Sequence, residues 1–188
     1  MTTRPADNPF ASHRIDALDY RFADGGGLVD VTTALARHGR RGAIVGPHGS
    51  GKTTLLDTLA ESLEGEVVRA RLSADTTRPL ARALHQLPSR VGPGHSVLLD
   101  GAEQLGTWAW RRFRQASAAA GTLVVTSHRQ GRLATIHECR TTLTLLVELV
   151  LELDPVTADA VDLGALFRRH QGNLRLCFRE LYDLHAGW

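Results

Sequence analysis

Lysine is nearly missing from this chain: of its 22 strong cations, Lys52 is the single lysine and all others are arginine. Together with the abundant Ala, Gly and Leu, this reads as coding bias of the source genome, so the arginine count by itself says little about function. Cysteine is scarce as well. Cys139 and Cys177 form no C-x-x-C pair, which excludes a disulfide framework and leaves two reduced, small hydrophobes. Nine histidines are present, yet none falls in an H-x-x-x-H or H-x-C-x-x-C spacing, which argues against a zinc site. No long apolar run exists. The longest is interrupted by Glu148 and Glu152, and Met1 to Asn8 holds no apolar stretch of the kind a secretory signal needs. A soluble, cytoplasmic protein with no membrane association is expected. The formal net charge of +2 gives no argument for a nucleic-acid partner, because specific binders show a clustered basic face; weak contact with nucleic acid stays open.

The lone lysine stands in a pattern with a mechanism. Gly46-Pro47-His48-Gly49-Ser50-Gly51-Lys52-Thr53 fits the phosphate-loop sequence G-x-x-x-x-G-K-[ST]. The glycines let the backbone turn where a Cβ would clash, so that successive N–H groups of the loop, which runs from Gly46 to Thr54, point at a polyphosphate. Lys52 reaches the β- and γ-phosphates as a compact ammonium, and the Thr53 hydroxyl is a hard oxygen ligand for Mg²⁺. Context supports the match. Arg41 to Val45 reads as a short buried strand, and Thr54 to Leu63 as a helix with Leu55, Leu56, Leu59 and Leu63 on one face and Gly65 placed to end it.

At 188 residues the chain suits one domain with a small appendage. We expect a nucleotide-binding core over residues 1–154, whose first 27 residues are irregular, and a helical cap over residues 155–188. Strands are expected at Glu66 to Leu72, Ser96 to Asp100 and Thr122 to Thr126. Helices are expected from Leu28, from Pro79, over Glu103 to Ala120, and twice after Pro155, with Asn173 opening the last. The run Thr141 to Leu153 stays open between strand and helix, since short apolar runs are not separated by periodicity. Alternating strands and helices define an α/β fold, a parallel-sheet P-loop core followed by a small C-terminal helical lid.

The run Ser96 to Leu99 delivers Asp100 to the carboxyl edge of the sheet, where a carboxylate can hold Mg²⁺ or its water. The next residue is Gly101, and Glu103 is the nearest acid able to position a water; it equally suits the start of a helix. Thr126, Ser127 and His128 end the strand expected beside the phosphate-loop strand and could sense a γ-phosphate. Phe10, Tyr20 and Phe22 are candidate stacking partners for a base.

These elements resemble AAA+ ATPases. Gly46 to Thr53, Leu98-Leu99-Asp100-Gly101-Ala102-Glu103, Val125-Thr126-Ser127 and Gly172-Asn173-Leu174-Arg175 follow in the order of that family. They look most like a small bacterial branch similar to transposition- and secretion-associated and origin-recognition-like ATPases. The resemblance spans about residues 40–185 and implies Thr126 or Ser127 as sensor 1, Arg175 as the lid arginine that touches the γ-phosphate, and a finger among Arg129, Arg132 and Arg140. The chain departs from the pattern in lacking a glutamate after Asp100 and in its short lid. It also lacks the [NT]-K-x-D motif of GTPases and an L-S-G-G-Q-like ABC signature, although His128 after a strand is similar to the ABC switch histidine.

The reading is an ATP- and Mg²⁺-binding ATPase of AAA+-like type that hydrolyses slowly, with catalytic roles for Lys52, Glu103, Ser127 and Arg175, and Mg²⁺ on Thr53 and Asp100. Two alternatives stand beside it. One is a nucleotide-gated interaction module without significant turnover, for which Trp108 and Trp110 beside Arg111, Arg112 and Arg114 would supply a surface. The other is a small-molecule kinase, with Asp75 as the acid near its acceptor. A protein partner encoded elsewhere is expected, and assembly with further copies of the chain is open.

Overall fold

The computed structural model describes residues 7–23 and 25–187; positions 1–6 of the expected polar tail lie outside them. The described strands are β1 (Arg41–Val45), β2 (Glu66–Arg71), β3 (His95–Asp100), β4 (Thr122–Ser127) and β5 (Thr135–Glu138). The helices are α1 (Ser12–Ile15), α2 (Leu28–Arg37), α3 (Lys52–Glu61), α4 (Pro79–His85), α5 (Thr107–Ala116), α6 (Leu143–Leu153), α7 (Pro155–Ala160), α8 (Leu163–Arg169) and α9 (Leu174–Ala186). The chain divides into two compact units. Among the described residues, a sheet unit comprises Gly26–Gly46 and Lys52–Glu138, and a helical unit comprises residues 7–23, Gly25, Pro47–Gly51 and 139–187.

In the sheet unit the strand order is β2-β3-β4-β1-β5, and each neighbouring pair is parallel. This is the α/β parallel-sheet architecture of a P-loop core. Strands covered on both faces read as unbroken apolar runs, and Ser96 to Leu99 of β3 and every residue of β4 are buried. Because side chains alternate across a strand, Ala43, Val45, Val97, Leu99, Leu123 and Val125 share one face with Ala83 of α4 and Trp110 and Phe113 of α5. Ile44, Leu98 and Val124 point to the other, where α2 and α3 bury Val31, Leu35, Leu55 and Leu59.

Two sheet-unit elements differ from expectation. The helix anticipated over Glu103 to Ala120 is a short 3₁₀ turn, Ala102–Gln104, then Leu105 and Gly106 in extended backbone, then α5. β5 carries no clear strand pattern. It is four residues long at the sheet edge, and only Ile136 in it is buried.

The helical unit has its own core, in which Leu145, Leu146, Leu149 and Val150 of α6 meet Leu163, Leu166, Leu174, Cys177, Phe178 and Leu181. The open run Thr141 to Leu153 is therefore helical from Leu143, and Thr142 caps it, its hydroxyl accepting the Leu145 N–H at 3.1 Å. Pro155 does not only end that element; it opens α7, capped by Asp154. Phe10 is buried here with its ring stacked on Phe178 at 6.3 Å between centroids, so it is core and not a platform for a base. Among the described residues no helix is long and apolar enough to cross a membrane.

Burial raises the Cys177 thiol from 9.0 to about 11, the helix backbone opposing and the Glu180 charge adding slightly. A thiol whose folded pKa is raised favours the folded state below the unfolded value. That contribution is complete below about pH 9 and is lost as pH climbs through about 11. Iodoacetamide at mildly alkaline pH is accordingly expected to modify Cys177 only at the rate of unfolding; labelling as fast as a free thiol would contradict its burial.

Candidate nucleotide-phosphate site

At the carboxyl edge of the sheet unit the side chains of β3, β4 and the start of α3 converge. Asp100 ends β3 and accepts at both oxygens: Thr53 Oγ1 donates to Oδ2 at 2.9 Å, and Thr126 Oγ1 donates to Oδ1 at 2.6 Å. Thr126 Oγ1 in turn accepts the Gly101 N–H at 2.8 Å. The parallel order places β4 between β1 and β3, which brings Thr126 beside the end of β3. Adjacent strand residues point oppositely, so Ser127 lies outside this network; its Oγ accepts the Arg129 N–H at 3.4 Å.

Gly101 explains why no glutamate follows Asp100. Its φ is +85°, and a Cβ there would overlap the Leu72 carbonyl oxygen. Any side chain at this position would displace β3 from the segment after β2. The nearest acid then comes from the 3₁₀ turn: Glu103 Oε1 lies 2.8 Å from His128 Nε2, while Glu103 Oε2 is buried with no hydrogen bond. His128 Nδ1 lies 3.4 Å from Lys52 Nζ and 3.3 Å from the Gly46 carbonyl oxygen. Lys52 is 8% exposed and donates to that same carbonyl at 2.9 Å. Lys52, His128 and Glu103 thus form one polar chain.

The sequence reading missed Arg71. It closes β2 opposite Asp100 in the strand register, and its Nε donates to Asp100 Oδ2 at 3.2 Å while its Nη2 lies 3.7 Å from Asp57 Oδ2. No motif marks it; only the pairing of β2 with β3 brings it there.

The loop tip belongs to the helical unit. Ser50 Oγ donates to the Pro47 carbonyl at 2.9 Å, tightening the turn. Gly49 has φ +70°, and a Cβ on it would overlap Asn173 Oδ1 and crowd the Arg175 backbone nitrogen at 3.1 Å. The start of α9 therefore sits against the tip, and Asn173 caps that helix by accepting the Leu176 N–H at 3.2 Å. Gly51 lies beside the Tyr20 ring, which meets Phe22 edge to face at 4.9 Å. Of the aromatic candidates, Tyr20 stands at the loop, with Phe22 behind it.

The donor set suits a nucleotide with a divalent ion. A threonine hydroxyl and a carboxylate are hard oxygens of the kind Mg²⁺ takes, and the orphaned Glu103 Oε2 is a buried acceptor still lacking a donor. Thr126→Val tests the network itself. It should leave the buried Gly101 N–H without its partner and remove a donor to Asp100, costing roughly 1–3 kcal/mol in a denaturant titration; an unchanged midpoint would contradict the bonding described.

No protein-family model matches the chain. It is similar to curated ATP-binding proteins of phosphonate import. The relative from Cupriavidus necator, "Phosphonates import ATP-binding protein PhnC 1", is 33% identical over 112 residues, which is 53% of this chain and 40% of the relative. A protein of the same name from Pseudomonas syringae pv. syringae is 33% identical over 107 residues, 50% of this chain and 40% of the relative. "Phosphonates import ATP-binding protein PhnC 2" from Pseudomonas aeruginosa is 37% identical over 85 residues, 44% of this chain and 32% of the relative. The match thus takes in two fifths or less of each of these relatives.

Proposed function

We propose that this protein is an ATP-binding P-loop ATPase that takes ATP with Mg²⁺ and hydrolyses it slowly. The observation that carries the reading is the joint arrangement of Thr53 on Asp100 and of Lys52 on His128 and Glu103 at the end of β1, β3 and β4. The names of the relatives, all ATP-binding proteins, support it.

The roles follow from the chemistry. The backbone amides from His48 to Thr54 and the Lys52 ammonium hold the phosphates, with Lys52 giving up the Gly46 carbonyl to do so. Thr53 and Asp100 would hold Mg²⁺, and the ion would supply charge neutralisation at the phosphates. Glu103 accepts a proton from, or orients, the attacking water, and His128 fixes its carboxylate. Thr126 holds Asp100.

The finer reading is of AAA+-like type, with residues 155–188 as a cap that responds to nucleotide and to a partner. Its support is the G-N-x-R phrase and the closeness of Asn173 and of the Arg175 backbone to Gly49 at the loop tip. A second reading follows from the relatives: an ATP-binding component of an importer, in which His128 would serve as switch. The missing L-S-G-G-Q-like stretch disfavours it.

Steady-state phosphate release from ATP with Mg²⁺, across protein concentrations, tests the proposal. Slow release that rises per subunit with concentration is expected of an AAA+-like shared site. Release independent of concentration would remove that finer reading, and no release together with no ATP binding would remove the ATPase reading altogether.

A further inference from the structure

We infer that Arg71 is a positioning residue that competes with Mg²⁺ for Asp100 and yields to it by passing to Asp57, so that this arginine sets how much Mg²⁺ nucleotide binding requires. The inference deepens the ATP- and Mg²⁺-binding reading and rests on it. Asp100 Oδ2 accepts from two donors, the Thr53 hydroxyl at 2.9 Å and the Arg71 Nε at 3.2 Å. Its Oδ1 is taken by the Thr126 hydroxyl at 2.6 Å. A hydroxyl keeps lone pairs of its own, so Thr53 can turn its proton aside and serve a cation together with Asp100. A guanidinium has donors only. Arg71 therefore has nothing to offer a cation at Oδ2, and its charge opposes one.

A second position for Arg71 is already built. Asp57 follows Thr53 by four residues on α3, so the two side chains share a face of that helix. The Arg71 Nη2 lies 3.7 Å from Asp57 Oδ2, and Arg69, on the same face of β2, places its Nε 3.6 Å from Asp57 Oδ1. Asp57 and Asp100 balance Arg69 and Arg71 in charge. A divalent ion on Asp100 leaves Arg71 in surplus, and Asp57 is an acid it already approaches.

The backbone at Arg71 is pinned while its side chain has room. The register with β3 runs through Arg71, and the following Leu72 N–H donates to the Asp100 carbonyl at 2.9 Å. β2 is an edge strand, and the Arg71 side chain is 65% exposed against 16% for Asp100. Rotation about side-chain bonds thus carries the guanidinium between the two carboxylates without moving the sheet. An arginine that served only to fasten the edge would have no need of Asp100, since the ladder holds β2 and Asp57 offers an anchor on α3.

The test is calorimetric titration of ATP into the full chain, over a series of Mg²⁺ concentrations and in chelator, for wild type, Arg71→Gln, Arg71→Lys and Asp57→Asn. Arg71→Gln should lower the Mg²⁺ concentration that gives half of the gain in ATP affinity by roughly 2- to 5-fold, the upper part of the range for one exposed ion pair. In chelator the same variant should bind ATP more weakly than wild type, because Asp100 then meets the phosphates without its counter-charge. A merely structural loss would weaken both. Arg71→Lys keeps the charge and should keep the wild-type Mg²⁺ requirement. Asp57→Asn removes the second position and should raise the requirement, and it should have no further effect when added to Arg71→Gln. The inference is overturned if ATP binds and Arg71→Gln has the wild-type Mg²⁺ requirement, if Arg71→Gln weakens binding with Mg²⁺ and in chelator alike, or if Asp57→Asn lowers the requirement. Absence of ATP binding by the wild type would instead remove the ATP reading, and this inference with it.

Discussion

Replacing Lys52 with alanine is expected to reduce ATP affinity by about two to three orders of magnitude, the range for truncating one partner of a desolvated charge pair. The size of the effect follows from isolation. No other lysine exists in the chain, so no neighbouring ammonium can take over, and the side chain is held ready by the Gly46 carbonyl at 2.9 Å. Arginine should not rescue binding, because a planar fork does not replace a compact point charge inside a closed loop. The comparison is a titration of ATP into both proteins after matching their unfolding midpoints. Equal affinities would remove the phosphate-loop account from this protein.

The second large effect is on turnover. Glu103→Gln keeps the shape of the side chain and an oxygen that can accept from His128 Nε2, but removes the charge that would draw a proton from water. We expect ATP affinity close to wild type and hydrolysis slower by roughly 10²-fold, the lower range for loss of a general base. If Glu103 serves only to start the 3₁₀ turn, single-turnover rates will be the same in both proteins. The buried Oε2 without a hydrogen bond argues for the chemical role, because a purely structural carboxylate would have both oxygens satisfied or solvated.

The parts of this architecture that could be read from residues are those whose signals are local. The strand, loop and helix from Arg41 to Glu61 form one contiguous signature, and β3 and β4 announce themselves as apolar runs ending in polar residues. The neighbour relation of β4 and β1 was expected and is observed. What escaped depends on distant pairing or on a single torsion. Arg71 reaches Asp100 only through the β2–β3 register. The choice of Thr126 over Ser127 for the Asp100 bond depends on which face each residue of β4 presents. The break at Leu105 and Gly106 sits inside an otherwise helix-compatible run, and β5 is too short to show a period. Trp110 looks like its near neighbour Trp108 in sequence, yet burial separates core from surface, and Phe10 is buried where Tyr20 is half-buried.

The central claim is that the loop from Gly46 to Thr54 holds the phosphates of ATP while Thr53 and Asp100 hold Mg²⁺. Calorimetric titration of ATP into the wild-type chain, once with Mg²⁺ and once with a chelator, tests it most directly. The account predicts one site per chain, tighter with Mg²⁺, and a loss of the Mg²⁺-dependent gain in Asp100→Asn with binding in chelator retained. Absence of ATP binding, or the same affinity with Mg²⁺ and with chelator in the wild type, would contradict it.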